Sequence, residues 1–402
     1  MACSKQENLE PEYKKVVIIC DADGLKNAHT LRLSFGDEFR PSRSQLMITM
    51  DSIHNKLRFE DSIAMRTNMT ISFGGQFLNL IVEPGDSIYI VLPANTRDRD
   101  YLRKVVFSGD NSKVNSEITY WEQSFFKRLY NEKIFFDNSI NSDEFITKTI
   151  PVATRRYMDS VDYYSSGMMP ETEDFLKRHI KMYMLYFSVR TDESNPTWTR
   201  DVQYDGLRKV LYEDPLFDLW NEANFTTPMY KTALSHYRGF IENTDEEVIA
   251  NKNSGDNISS TRAFFKAFDR IPSQFHRDYM KFEYLTMHIS RGPELNEIFP
   301  EWEDHIKSDF LKERVHEFTD FYKFTDIVYM NKSGETEKIE SGTDFDSFLR
   351  KRYPGKVIFL DLFATWCGPC IAEFKYTGYI HEKFKGEDIV FVNVCKTSNL
   401  PN

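Results

Sequence analysis

Two cysteines, Cys367 and Cys370, are separated by two residues and follow a long apolar run at 357–363. The run predicts a buried strand that leads directly into a helix beginning at the cysteines. Unpaired backbone N–H groups and the helix dipole favour negative charge at a helix N-terminus, so a thiol there ionises more readily than a free thiol. Because the thiolate is the reactive form, this spacing predicts thiol–disulfide exchange, in which one sulfur attacks and the other resolves the mixed disulfide.

Two further residues near the cysteines fit this chemistry. Pro369 suits the first helical turn, because a backbone N–H at that position would have no hydrogen-bond partner within the helix. Asp361 interrupts the apolar run six residues before Cys367. Burying a carboxylate in such a strand is unfavourable unless it has a partner or a task, so Asp361 is a candidate functional residue.

Three other interpretations of the cysteine pair compete with thiol–disulfide exchange. A zinc site needs four ligands, and the sequence has no second Cys or Cys/His pair at ligand spacing. Attachment of c-type haem needs histidine directly after the second cysteine, where Ile371 stands, and is excluded. A purely structural disulfide would close a very short loop and stabilise the fold little.

The residues around the motif predict a small α/β unit. Segments at 326–330 and 337–340 flank the turn-forming residues 331–334 and predict a hairpin. Thr343 or Asp344 can cap a short helix that ends before 353–355. A second buried strand at 389–394 follows the helix that begins at the cysteines, and Gly386 is placed to end that helix. We expect the two apolar strands to pair in parallel.

Length, charge and hydropathy limit the class of protein. The chain has 402 residues, which predicts about two to four domains, and its formal net charge is −11. The acidic balance argues against a nucleic-acid partner. No apolar run is long enough to predict a transmembrane span. The sequence predicts no cofactor and no metal site, because it lacks nucleotide-binding fingerprints and none of its nine histidines has metal-ligand spacing.

The rest of the chain divides into a β-rich and a helical part. Short segments with alternating polarity and turns between them predict a β-sandwich or barrel-like domain over 13–109, after a disordered terminus at 1–12. The strand candidates are 15–20, 30–35, 45–50, 69–73, 77–82, 87–92 and 104–107. Apolar residues at three- and four-residue intervals predict a helical middle domain over 110–324. Its helix candidates are 114–130, 142–160, 171–190, 230–242, 261–271 and 274–289.

The motif and its flanking segments resemble the TlpA-like thiol–disulfide oxidoreductases of the thioredoxin superfamily, in particular long members with an N-terminal β domain and a helical middle. The resemblance is carried by 82–86, by 107–110 leading to Asn115, and by 363–370. It implies a multidomain α+β chain whose residues 325–402 form a partial, thioredoxin-like α/β domain. A polar stretch at 396–402 ends the sequence where a complete domain would continue, so we expect a truncated domain with an exposed apolar strand edge and face.

The resemblance also implies roles for individual residues. Cys367 would be the attacking thiol and Cys370 the resolving thiol, with Asp361 beneath Cys370 to help move its proton. Trp366 would shield the pair, and Glu373 matches a glutamate common in those proteins. Lys375 stands where many of them have a helix-kinking proline, which affects the expected shape of the helix but not the cysteine chemistry.

The resemblance implies an exported protein of the bacterial cell envelope or periplasm. Cys3 is followed by polar residues and looks like the acylated start of a lipoprotein, although an ordinary exposed thiol remains an alternative. Cys20 and Cys395 end apolar strands and are expected to be small buried side chains.

The sequence therefore supports two functional hypotheses. The first is a dithiol reductase whose partners are disulfide-containing proteins and a membrane-bound electron donor. The second is a binding or scaffold lipoprotein of the envelope, in which the truncated thioredoxin-like domain is inactive.

Overall fold

The structure is a computed structural model, and its described residues fall into two compact units, Met1–Thr319 and Asp320–Asn402. We describe each unit separately. The residues described are 11–22, 32–35, 39, 56–73, 76–93, 101–121, 142–194, 209–227, 229–252, 256–289, 300–323, 327–330, 336–339, 345–364 and 368–396.

Seven strands of the first unit form two sheets. They are β1 (Lys14–Asp21), β2 (Arg32–Phe35), β3 (Lys56–Ile63), β4 (Thr67–Phe73), β5 (Gln76–Val82), β6 (Ser87–Val91) and β7 (Val106–Gly109). One sheet has the order β3-β1-β6-β7 and the other β2-β4-β5. Strand β1 lies antiparallel to β3 and parallel to β6. Alternate side chains of both sheets enter one hydrophobic core, so the sheets pack face to face.

Six of the seven predicted strands have counterparts in these sheets, and the seventh, at 45–50, lies outside the described residues. Strand β3 was not predicted. Leu57 and Phe59 alternate with Lys56, Arg58 and Glu60, and this alternation is a strand signal even though charged residues disfavour strands. The buried pair Leu57 and Phe59 fills the core beside β1.

Helices α1 to α9 also lie in the described part of the first unit. They are α1 (Ser112–Trp121), α2 (Ile150–Tyr164), α3 (Pro170–Ser194), α4 (Tyr230–Thr244), α5 (Glu246–Lys252), α6 (Asn257–Phe268), α7 (Gln274–Ile289), α8 (Trp302–His305) and α9 (Asp309–Lys323, which runs past the boundary between the units). A π-helical segment, Phe145–Thr149, leads into α2. The predicted helices at 142–160, 171–190, 230–242, 261–271 and 274–289 are therefore confirmed within a few residues. The prediction at 114–130 is confirmed as far as Trp121, beyond which the residues are not described.

Asp245, in the acidic tract at 244–247, has a structural role at the start of α5. Asp245 Oδ1 accepts hydrogen bonds from the backbone N–H groups of Glu247 and Val248, at 3.1 and 3.0 Å. It therefore stabilises the first turn of α5, as a side-chain cap does. Partial burial is the largest single influence on the pKa of Asp245 and raises it. The hydrogen bonds and the neighbouring Arg270 together outweigh burial, so the pKa is lowered.

A buried asparagine joins the β-rich and helical parts of the first unit. Asn115, in α1, is fully buried. Its Oδ1 accepts from the Ile81 backbone N–H at 2.8 Å, and its Nδ2 donates to the Ile81 carbonyl at 3.0 Å. The side chain thus satisfies backbone groups of β5 as a neighbouring strand would, and fixes α1 against the sheet.

The turn before β6 is held by a second polar network. Gly85 has a φ of 105°, which favours glycine. Asp86 is buried, and its Oδ2 accepts from the Glu83 backbone N–H and from Asn111 Nδ2, both at 2.8 Å. The segments 82–86 and 107–115, which contributed to the family resemblance, therefore have architectural roles in this unit.

A buried tyrosine–histidine pair fixes another part of the helical layer. The Tyr230 hydroxyl donates to the Leu219 carbonyl at 2.7 Å and lies 2.5 Å from His276 Nε2, so Nε2 carries the proton. Nδ1 is then the basic nitrogen, and within the described residues it has no hydrogen-bond partner. Burial lowers the pKa of His276 to about 3.

The described residues of the second unit form two strand pairs and two helices. Strands β8 (Ile327–Met330) and β9 (Thr336–Ile339) form an antiparallel pair. Helix α10 (Phe345–Arg352) follows, then β10 (Val357–Ala364), α11 (Gly368–Lys383) and β11 (Ile389–Lys396). Strands β10 and β11 are parallel neighbours, as predicted. Gly355 and Gly386 both have positive φ and lie just after α10 and α11.

The predicted mixture of helices and strands is confirmed for the chain as a whole. The division into domains at 109 and 324 remains a prediction, as does the disordered terminus at 1–12, of which residues 1–10 lie outside the described residues.

We predict that Asn115→Ala lowers the free energy of unfolding by about 2–4 kcal/mol, because it leaves a buried N–H and a buried carbonyl of β5 without partners. Urea unfolding of the two proteins measures the difference. Asn257→Ala, at the exposed first residue of α6, is the control and should change stability by much less. An equal effect of both substitutions would contradict the role given to Asn115.

We predict that His276 makes the first unit acid-sensitive. The pKa of about 3 in the folded chain is below the ordinary histidine pKa of about 6.5, so the neutral form stabilises the fold fully above pH 6.5. This contribution is lost as the pH falls from about 6.5 towards 3, at up to about 1.4 kcal/mol per pH unit. Unfolding of His276→Gln should show a correspondingly weaker pH dependence in that range.

Exposed His316 provides the control for this experiment, since its Nε2 lies 3.0 Å from Glu303 at the surface. His316→Gln should retain the pH dependence of the original protein. If His276→Gln and the original protein lose stability in parallel between pH 6.5 and 4, the assignment to His276 is wrong.

Candidate functional site

The candidate site lies where β10 ends and α11 begins. Strand β10 ends at Ala364 and α11 begins at Gly368. Cys367 and Trp366 belong to the three residues between them, 365–367, which are outside the described residues. Pro369 and Cys370 are the second and third residues of α11. The predicted strand-to-helix transition is therefore present, and it places Cys370 in the first helical turn.

The start of α11 provides the electrostatic setting that the cysteine chemistry needs. The helix has 16 residues and no acidic residue in its first turn. Its first N–H groups have no partner within the helix, and the dipole of the helix adds partial positive charge at this end. Both effects favour a thiolate over a thiol at this helix terminus.

Aromatic contacts determine which face of the β10–β11 sheet is covered by α11. The Phe391 ring of β11 lies 4.3 Å from the His381 ring of α11 and 6.4 Å from the Phe384 ring that follows it. Phe391 also lies 5.3 Å from Phe359 of β10. Distances here join ring centroids. The C-terminal part of α11 therefore packs on the face that carries Phe359 and Phe391.

Asp361 belongs to the same helix-covered face. It follows Phe359 by two residues in β10, and side chains two residues apart in a strand point to the same side. It lies on the side of Phe359 that is nearer to the cysteine motif, and it is half-buried. Its register partner in β11 is Asn393. The Asp361 carboxylate therefore lies on the face where α11 packs, towards the end of β10 that leads to the cysteine motif.

Glu373 has a different environment. It is exposed in α11, one helical turn after Cys370. Residues three apart are neighbours on a helix surface, so Glu373 adds negative charge on the solvent side of the site.

Some apolar side chains of β10 remain accessible to solvent. Within the described residues β10 pairs with β11 alone. Val357 is 62% exposed, Phe359 50% and Leu360 41%. The apolar exposure expected from the sequence is therefore present on this strand.

The cysteines outside the motif differ in what the structure describes. Cys20 is buried in β1, and burial, with a smaller effect of Asp21, raises the pKa of its thiol to about 12. It is an inert core side chain, as predicted. Cys3 and the Cys395 side chain lie outside the described residues.

Sequence reasoning missed one polar residue at the site. Asn393 interrupts the apolar run 389–394 in the same way that Asp361 interrupts 357–364. That break in the second run was the available signal. Its meaning becomes clear only with the strand register, which pairs Asn393 with Asp361.

The described residues contain neither a candidate membrane span nor a candidate metal site. No described helix combines the length and apolar character required to cross a bilayer. No described group of three or more His, Cys, Asp or Glu side chains has an arrangement that would hold a metal ion.

Comparison with known proteins connects this site with thiol chemistry. No family model matches the chain. The thiol-disulfide oxidoreductase ResA of Bacillus subtilis (strain 168) is 40% identical over 85 residues, covering 18% of this chain and 45% of that protein. Thioredoxin of Coprinus comatus is 36% identical over 52 residues, covering 13% of this chain and 49% of that protein.

The chain spans about half the length of the curated relatives it matches. These partial similarities support a thioredoxin-like domain and suggest a thioredoxin-like redox function.

Proposed function

We propose that this chain carries a thiol–disulfide oxidoreductase centre that reduces protein disulfides through Cys367 and Cys370. The main support is the β10–α11–β11 arrangement, in which an apolar strand leads towards a helix with Cys370 in its first turn. The partial similarity to ResA and to a thioredoxin agrees with this chemistry.

In the first step, the Cys367 thiolate attacks one sulfur of a substrate disulfide. A bond forms between that sulfur and Cys367, the substrate S–S bond breaks, and the other substrate sulfur leaves as a thiolate that takes up a proton. The positive end of α11 stabilises the Cys367 thiolate before attack, because Cys367 directly precedes the helix.

In the second step, Cys370 resolves the mixed disulfide. Asp361 accepts the Cys370 proton, and the resulting thiolate attacks the Cys367 sulfur. A Cys367–Cys370 disulfide forms and the second substrate thiol is released. The half-buried position of Asp361 on the helix-covered face supports this role, since a general base must lie near the proton it accepts. This chemistry uses only the two sulfurs and a proton acceptor, so we propose no cofactor.

The remaining site residues have supporting roles in the proposal. Trp366 shields the sulfurs from water, and Pro369 gives the first turn of α11 a fixed backbone without losing a hydrogen bond. Glu373 modulates the charge on the exposed side of the site.

The wider biological assignment belongs to the same proposal. The chain would be a TlpA-like protein of the cell envelope, tethered through a lipid on Cys3. It would reduce disulfide-containing proteins and receive electrons from a membrane-bound donor.

A binding or scaffold role is the second candidate. It is favoured by the exposed apolar residues of β10 and by a well-packed first unit with its own sandwich core. An insulin-reduction assay separates the two candidates, since a scaffold would not accelerate reduction of insulin by dithiothreitol.

We predict that Cys367→Ser abolishes disulfide exchange, because it removes the attacking sulfur. Cys370→Ser should retain the attack but accumulate mixed disulfides, because nothing resolves them. Insulin reduction measures the first effect, and mass spectrometry under non-reducing conditions detects the trapped species.

Cys20→Ser is the control for these two variants, because the buried Cys20 thiol has a pKa of about 12. It should leave the exchange activity unchanged. Full activity of Cys367→Ser would mean that the attacking residue has been misassigned.

We also predict a reducing dithiol. The Gly368–Pro369 dipeptide between the cysteines is that of thioredoxin, so equilibration with glutathione buffers should give a potential near about −270 mV. A value near that of the strong oxidant DsbA, about −120 mV, would reverse the proposed direction of electron flow.

A further inference from the structure

A group of basic side chains lies at the end of the second unit that is opposite to the cysteine motif. The Val357 N–H, at the start of β10, donates to the Asp388 carbonyl just before β11, at 2.7 Å. Short turns connect the last turns of α10 and α11 to these two strand starts, so both helix ends lie here. The basic residues of this end are all exposed: Arg350, Lys351, Arg352, Lys356, Lys383 and Lys385.

These six residues, which we call the basic end, give this part of the unit an excess of positive charge. The stretches 345–357 and 379–389 contain the six cations, four carboxylates and one histidine taken as neutral, which leaves a net charge of +2. The whole chain carries −11, so the rest of it carries −13.

Several cations of the basic end also have carboxylate neighbours. Three exposed ion pairs are present, namely Arg350–Asp346, Lys356–Asp388 and Lys385–Glu382. An exposed ion pair contributes little free energy, because water solvates both partners. These cations can therefore exchange their carboxylate for an external anion at low cost.

Two other cations stand beside aromatic rings. Arg352 Cζ lies 5.8 Å from the centroid of the Phe348 ring, and Lys383 Nζ lies 5.8 Å from the centroid of the Phe384 ring. Phe384 is 38% exposed, and Tyr379, about one turn before Lys383 in α11, is 72% exposed. Basic side chains next to accessible aromatic rings are typical of surfaces that lie in the headgroup region of a membrane.

We propose that the basic end binds a lipid surface that contains anionic phospholipids. Its long side chains are spread over two helix ends and two turns, and a fluid layer of phosphate groups matches such a set without fixed positions. A protein partner would need carboxylates placed opposite to the cations. The rings beside Arg352 and Lys383 enter the headgroup region while the cations contact phosphates.

Binding through the basic end determines the orientation of the second unit. Strand β10 runs from Val357 to Ala364, which is about 23 Å at the usual strand rise. The end of β10 that leads to the cysteine motif therefore points away from the lipid. Anionic lipids repel the rest of the chain, so the attraction is confined to the basic end. This inference does not depend on the proposed thiol chemistry.

The test is sedimentation of the full, unacylated chain with sucrose-loaded vesicles. One set of vesicles is pure phosphatidylcholine, and the other contains phosphatidylcholine and the anionic phosphatidylglycerol in a ratio of about two to one. We expect binding to the anionic vesicles alone at about 0.1 M salt. That binding should be lost at about 1 M salt, where the Debye length is about 3 Å.

Lys351→Gln combined with Lys383→Gln should lower the partition coefficient by about 25-fold, since each basic residue near an anionic surface contributes about fivefold. Lys113→Gln combined with Lys209→Gln is the matched control, because it removes the same charge from exposed positions of the first unit. The control should change the coefficient by less than about twofold. Both double variants should unfold at the temperature of the original chain, which excludes a loss of structure.

Three outcomes overturn the inference. Equal binding to both kinds of vesicle would assign the interaction to the exposed apolar residues of β10. Equal effects of the two double variants would assign it to the net charge of the chain. A salt-sensitive dimer in sedimentation velocity, without vesicle binding, would identify the partner as an acidic protein surface of a second copy.

Discussion

The parallel pairing of β10 and β11 is the constraint on which the candidate site depends. Two consecutive parallel strands require a crossing connection, and here that connection is α11. The helix must therefore begin beside the end of β10 and run back over the sheet. This topology places the positive end of α11 at the cysteine motif, whatever the rest of the chain does.

The same register converts two isolated polar residues into a pair. Asp361 and Asn393 have little meaning separately, because a single polar residue in an apolar strand often has a structural partner. Pairing by register gives them a shared face, and the contacts of Phe391 show that the C-terminal part of α11 packs on this face. Position along the strand then directs them towards the motif. The proposed chemistry at the sulfurs would thus depend on the register of the two paired strands.

The sequence predicted the second unit better than it predicted the polar details of the first. The apolar runs of β10 and β11 are long and contain few charges, and glycine or proline lies near their boundaries. The hydrophobic pattern and the turn-forming residues therefore indicate the same strands. Strand β3 was missed because Lys56, Arg58 and Glu60 mask its alternation. Helix α9 was also not predicted, although Leu311, Val315 and Phe318 have helical spacing and are buried.

Contacts between residues that are distant in the sequence could not be predicted from local patterns. Asn115 bonds to Ile81, 34 residues away, and Tyr230 meets His276 at a separation of 46, so no local pattern indicates either contact. The pairing of Asp361 with Asn393, 32 residues apart, was hidden for the same reason, since it needs the strand register.

The segments that carried the family resemblance are of two kinds, one structural and one a candidate for chemistry. Asp86 and Asn115 are buried and hydrogen-bonded to backbone or neighbouring side chains of the first unit. Their polar atoms therefore stabilise a turn and the position of a helix. The cysteine motif has the opposite character. Cys370 stands at a helix terminus whose N–H groups have no partner within the helix, and Glu373 one turn later is exposed. A polar group that already satisfies the fold has little capacity left for a substrate, whereas a terminus with free donors retains it. This contrast in hydrogen-bond satisfaction is the physical reason to propose residues 361–373 as the candidate site.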